Sequence, residues 1–177
     1  MLRYSGFMIG RPQSSEAAPH SFTYIDLIRD DDPVTALRNQ MEQPFAFLQS
    51  ISEQASLHRY APEKWSIRQT LNHITDNERI FAYRALWFAR GFETPLPGYD
   101  QNIGVANAAA NNIPWNTHIE EFRRVRLATI SLFSNLPPEA WMRRGSVEGN
   151  PFTVRAIAYV IAGHFAHHLE VLHKRYL

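Results

Sequence analysis

From Asp32 onward the apolar residues fall into four runs with helical spacing. Val34, Leu37, Met41, Phe45, Leu48 and Ile51 recur every three or four positions, the mark of one buried stripe on a helix. Asp32-Pro33 is a good opening: aspartate caps the free amides of a first turn, and proline fits the first helical position. Pro44 sits inside the run, where it removes a backbone donor and predicts a kink. A second run, Ile67, Leu71, Ile74, Phe81 and Phe88, follows Ser66-Ile67-Arg68-Gln69, which has the capping-box form. It should extend to about Arg90 and stop at Gly91. The third run opens on another capping-box pattern, Thr117-His118-Ile119-Glu120, and presents Ile119, Phe122, Val125, Leu127, Ile130 and Phe133 before Pro137-Pro138. The fourth is capped by Thr153 and spans Val154 to about Tyr176.

The connections are uneven. Phe92 to Trp115 is rich in proline, glycine and asparagine, with one helical turn expected over Val105 to Ala110. A connection this long is usually functional or disordered, and here it is placed to arch over the bundle as a lid. Trp141 to Pro151 reads as a turn or short hairpin, and no strand signal of any strength occurs. These features predict an all-α protein, a four-helix bundle. Residues 1–31 form an irregular N-terminal extension, with Phe22, Tyr24, Ile25 and Leu27 expected to lie against the body. The bundle domain occupies 32–177.

Composition narrows the function classes. The chain has 177 residues, enough for one domain with a real core, and its net charge of +1 gives no general pull toward nucleic acid or anionic membrane. The cluster Arg123, Arg124, Arg126 reads as a solvated face, with Glu120 and Arg124 as a helical ion pair. The chain has no cysteine, which removes disulfides, thiolate metal sites and cysteine nucleophiles. The beginning of the chain, with only Arg3 as a charge, lacks the apolar core of a signal peptide. The run from Ala156 to Gly163 is too short to span a bilayer. The expectation is a soluble, cytoplasmic protein without nucleic-acid or membrane partners.

The chemistry sits near the end, in Gly163-His164-Phe165-Ala166-His167-His168-Leu169-Glu170. His164 and His168 are four residues apart on one helix, so they share a face. They interrupt the apolar stripe of Ile157, Val160, Ile161, Val171 and Leu172, and so should point inward. Two such imidazoles suit one cation, though the same spacing also serves core histidines satisfied by carbonyls. The third candidate is His73, mid-helix on the second run, on a polar stripe with Thr70, Asn77, Ile80, Arg84 and Trp87. Three neutral nitrogens leave room for water or substrate, the pattern of a catalytic metal site. Asp76, one turn on, either accepts from the second nitrogen of His73 and fixes its tautomer or is a solvated carboxylate. His167 is rotated off the His164 face. A di-iron reading fails, because only Glu170-Val171-Leu172-His173 has the required form and it faces away.

The stretches Trp65-Ser66-Ile67-Arg68-Gln69-Thr70-Leu71-Asn72-His73-Ile74-Thr75-Asp76 and Ala162-Gly163-His164-Phe165-Ala166-His167-His168-Leu169, in that order, resemble the DinB/YfiT-like superfamily. The resemblance covers about Asp32 to Leu177. It implies an up-down-down-up four-helix bundle, often a homodimer, with one divalent transition metal held by His73, His164 and His168. Zinc or nickel come first as the metal, then iron or manganese. Relatives include thiol-dependent S-transferases and a thiol-dependent isomerase, so it implies a metal-dependent hydrolase or transferase acting on a small molecule, with a low-molecular-weight thiol as cosubstrate. Nothing in this chain itself marks a thiol site. The alternative is a non-catalytic bundle that binds metal or a partner.

Overall fold

The computed structural model describes residues 9–176; the signal-peptide reading at the start of the chain lies outside them. After irregular chain, α1 (Phe22–Ile25) leads to α2 (Pro33–Asn39) and α3 (Gln43–Ser50). Then come α4 (Ile67–Ala89), the short α5 (Gln101–Asn107), α6 (Trp115–Ser134), the strands β1 (Arg144–Val147) and β2 (Asn150–Thr153), and α7 (Val154–Arg175). The α2–α3 pair, α4, α6 and α7 are the four members of a helical bundle. α4 packs along both α6 and α7, and α2 bridges α6 and α7 on the other side.

Local chemistry accounts for most helix ends. Asp32 accepts from the amides of Val34 and Thr35. Ser66 and Gln69 make the reciprocal capping box that opens α4, and Gly91 follows its end at φ +81°, a conformation that glycine adopts without penalty. Thr153 accepts from Ala156 at the start of α7.

Several boundaries differ from the sequence reading: the turn expected over Val105 to Ala110 is α5, Gln101–Asn107, and two longer helices also change. The first helix is broken rather than kinked. Pro44 cannot donate back to Gln40, which caps the end of α2, and the Gln40 side chain turns inward to donate to the Ala162 carbonyl at 2.8 Å. The third helix starts before the Thr117 pattern, because the amide of Trp115 finds the Glu53 carboxylate at 2.9 Å. That cap comes from a loop far away in the chain, so no local motif announces it.

The core has two parts. One gathers Leu37, Phe88, Phe133, Tyr159 and Ile161; the other gathers Leu48, Leu71, Ile74, Phe122 and Phe165. Leu127, assigned to the core stripe of α6, is instead exposed, and so is Leu27. The position expected to be solvated, Arg126, is fully buried. Its guanidinium makes paired hydrogen bonds to Glu78 at 2.8–3.0 Å and donates to Gln40 at 2.6 Å, while Phe122 and Phe165 cover its faces. Glu120 pairs with Arg123 instead of Arg124.

The long connection between α4 and α6 is anchored at both ends. The carbonyl and amide of Leu96 bond to the β1–β2 hairpin, and Arg68 donates to the carbonyls of Asn111 and Ile113. α1 lies flat on α7. At Gly163 the approach is so close that a Cβ would stand 2.1 Å from the Tyr24 carbonyl oxygen.

Candidate metal centre

His73 projects from the first half of α4, and His164 and His168 from successive turns of α7, where the two helices pack together. The amphipathic phase of each helix aims these residues inward. His73 and His164 are buried, and His168 is partly so. His164 Nε2 lies 3.2 Å from His73 Nε2 and 3.1 Å from His168 Nε2. One ligand atom from each of the three falls within 4.8 Å of the others.

Proton counting bears on how these three rings can satisfy one another. A hydrogen bond between two ring nitrogens needs a proton on one and a lone pair on the other. His164 Nε2 faces two such nitrogens and can carry one proton at most. Burial lowers His73 to about 4. Burial, with added repulsion from His73 and His167, lowers His168 to about 3. His164 lies well below the usual range, again through burial first and then the charges of its histidine neighbours. All three are therefore neutral near pH 7, the form that donates a lone pair to a metal. Neutral nitrogens converging on one point match the donor set of a divalent transition metal.

His118 is the contrasting case. It is equally buried, yet it simply donates to the Ala110 carbonyl at 2.9 Å.

Asn77, one turn along α4 from His73, places its amide nitrogen 3.0 Å from His73 Nε2 and 2.9 Å from His164 Nε2. The Tyr99 hydroxyl, from the long connection, donates to the amide oxygen of Asn77. That bond turns the nitrogen of Asn77 toward the rings. Asp76 does not serve His73: it accepts from Asn72 at 2.7 Å and pairs with Arg79 at 3.2 Å, and no hydrogen bond joins it to the imidazole. It faces the charged surface, where Arg79 stands between it and Glu121 and pairs with both. His167 sits beside the convergent set, its ring 5.2 Å from that of His168 and 5.4 Å from that of Tyr24. His173 turns away, bonded to the Leu169 carbonyl and stacked on Phe47.

The sequence places His73 and Asn77 on one stripe, so Asn77 is visible there as a position though not as a contact. Tyr99 has no signal beyond lying in the expected lid. Trp65, whose ring is 4.8 Å from that of His73, belongs to the motif that opens α4. A cleft of about 480 Å³ reaches His168 from solvent, between Tyr60, Lys64, Trp65, His167 and Tyr176.

Residues 36–172 match the sequence pattern of the DinB superfamily. No curated protein matches the chain. Among solved structures, YfiT from Bacillus subtilis, a probable metal-dependent hydrolase with an unusual four-helix bundle topology, superposes with a TM-score of 0.67 at 14% identity, covering 92% of this chain and 91% of YfiT. The mycothiol-dependent maleylpyruvate isomerase superposes with a TM-score of 0.65 at 13% identity, covering 82% of this chain and 61% of that protein. At such identities the two structures speak to the fold alone, whereas the family pattern takes in α4, α7 and all three histidines: the chain belongs to the DinB superfamily.

Proposed function

We propose that His73, His164 and His168 hold one divalent transition metal, zinc or nickel first, and that the centre is a metal-dependent enzyme site for a small molecule. The carrying observation is the convergence of three neutral ring nitrogens at 3.1–3.2 Å contacts inside the bundle. When bound, the metal supplies Lewis acidity, acidifying a water or thiol and polarising a substrate carbonyl. The rest is the work of the chain's own groups.

Asn77 is already turned with its N–H groups toward the site, so it donates to negative charge that develops there, with little reorganisation. Tyr99 holds that orientation, and burial keeps its hydroxyl protonated, up to about 12. Trp65 and Tyr24 shield the rings from bulk water, and the cleft beside His168 admits the substrate. The reaction classes are hydrolysis and thiol-dependent transfer. YfiT supports the first and the mycothiol-dependent isomerase the second, each by analogy of fold. A homodimer in the cytoplasm, with residues 1–31 as an extension of the bundle domain, completes the reading.

Metal analysis of the purified chain is the first test, with about one equivalent of metal expected. His73→Ala should then bind far less at the same free-metal concentration. Unchanged stoichiometry and affinity in His73→Ala would refute the three-ligand centre. Hydrolysis and thiol-transfer assays on the loaded protein, read against His73→Ala, separate the two reaction classes.

A further inference from the structure

A second, smaller cavity of about 150 Å³ lies beside the histidines, bounded by Tyr24, Phe81, Arg84, Tyr99, Glu148 and Phe152. Three of these walls also border the metal centre. The rings of Tyr24 and Phe81 lie 5.4 and 6.5 Å from that of His164, and Tyr99 bonds to Asn77.

Arg84 is the unusual group. It projects from α4 and is only 7% exposed. Among the described residues its one hydrogen bond runs from Nη2 to the Pro97 carbonyl at 2.8 Å, and its guanidinium packs over Phe81. No carboxylate of the described residues lies within salt-bridge distance. The other deeply buried arginines, Arg68 and Arg126, each meet a glutamate. A buried charge without a counter-ion is costly, and its planar fork matches a carboxylate in two-point contact. Glu148 is the nearby acid. It is exposed, held at φ +49° on the hairpin turn, with its carboxylate against Gly98 at the rim.

We propose that this cavity receives the carboxylate of a small organic acid, with Arg84 as its partner, and so directs the rest of that molecule toward the histidines. The inference deepens the reading of the centre as a small-molecule site and rests on it for the second clause. The volume is well under the roughly 300–1,000 Å³ of a pocket that takes a whole ligand, so it fits one end of a substrate. One guanidinium balances one carboxylate, whereas a phosphate dianion would bring excess charge close to Glu148. Phe81, Val147 and Phe152 offer apolar surface to a short hydrocarbon chain.

The test uses the intact, metal-free chain and butyrate as probe, with the Arg84 side-chain Nε–Hε signal followed by NMR. Butyrate should shift that signal saturably, and its neutral isostere butyramide should not. Arg84→Gln should weaken butyrate binding by about tenfold or more, as removing a charged hydrogen-bond partner does. Glu148→Gln, at an exposed position, should tighten it. His73→Ala should leave it within about twofold, since no metal ligand touches the bound carboxylate. A failed metal assay with an intact butyrate response would sink the metal reading and leave the Arg84 site standing. Equal response to butyramide, no saturation, no loss in Arg84→Gln, loss in His73→Ala, or tighter binding of inorganic phosphate would each overturn the assignment. Should Arg84→Gln fail to fold, the wild-type titrations and Glu148→Gln still decide.

Discussion

Two buried polar clusters lie in the same bundle, and they are built on opposite principles. Around Arg126 every strong donor finds an acceptor: Glu78 takes two nitrogens, Gln40 a third, and Gln40 donates in turn to the Ala162 carbonyl. That network ties α4, α6, α7 and the end of α2 together and leaves nothing to bind. Around His164 the count fails, because the Asn77 amide faces the Nε2 of His73 and of His164, both must then offer lone pairs, and no proton is left for the contact between them. Buried polarity that closes on itself holds a fold. Buried polarity that stays open calls for a guest.

The sharpest way to break the contrast is to open the closed cluster. Arg126→Met leaves Glu78 charged and alone in the core, and should cost about 3–5 kcal/mol of folding stability, read by urea denaturation. The double replacement Arg126→Met with Glu78→Met should recover most of it. If the single change costs under about 1 kcal/mol, the cluster does not tie the helices together.

At the open cluster the main loss should be in metal affinity, with the fold retained. His73→Ala should weaken metal binding by more than the roughly 100-fold typical of outer-shell changes, measured by competition with a chromophoric chelator, with helical circular dichroism unchanged. Asn77→Ala is the more discriminating change. Without metal it leaves two buried lone pairs without a donor, at about 1–3 kcal/mol; with metal those lone pairs are engaged and the cost should shrink. Equal destabilisation in both states would show that Asn77 matters only for packing.

The pH dependence of the metal-free protein tests the burial of the open cluster directly. His73 and His168 have folded values of about 4 and about 3, below the ordinary 6.5, so the unfolded chain binds protons first. Stability is therefore full above about pH 6.5 and falls as pH drops toward 4, by up to about 1.4 kcal/mol per unit per histidine. A flat profile across that window would mean that the rings are more hydrated than the packing implies.

Much of this is legible in the residues. Helices whose caps are local, at Asp32, Ser66 and Thr153, begin where the pattern puts them. The start at Trp115 escapes such a reading because its capping partner, Glu53, is distant in sequence. Arg126 misleads for a related reason. Helical phase says only which face a residue takes, and charge suggests solvent, while the buried Glu78 that draws it inside lies on another helix. The histidines can be read because two share a face and the third lies mid-helix on a polar stripe that edges a second apolar face. Tyr99 and Arg84 need the folded chain, since their roles come from a loop returning across α4.

Gly163 carries a last consequence, for anyone wishing to shorten or redesign this protein. The backbone of Tyr24 rests directly on it, one residue before His164, although Tyr24 precedes the stretch that the superfamily pattern covers. Trimming the chain to that stretch would strip a roof from the histidine-bearing part of α7, and a bulkier residue at 163 would lever the roof off without any trimming. The stretch around Tyr24 thus covers the three-histidine cluster, and a chain cut back to the family pattern should lose that cover.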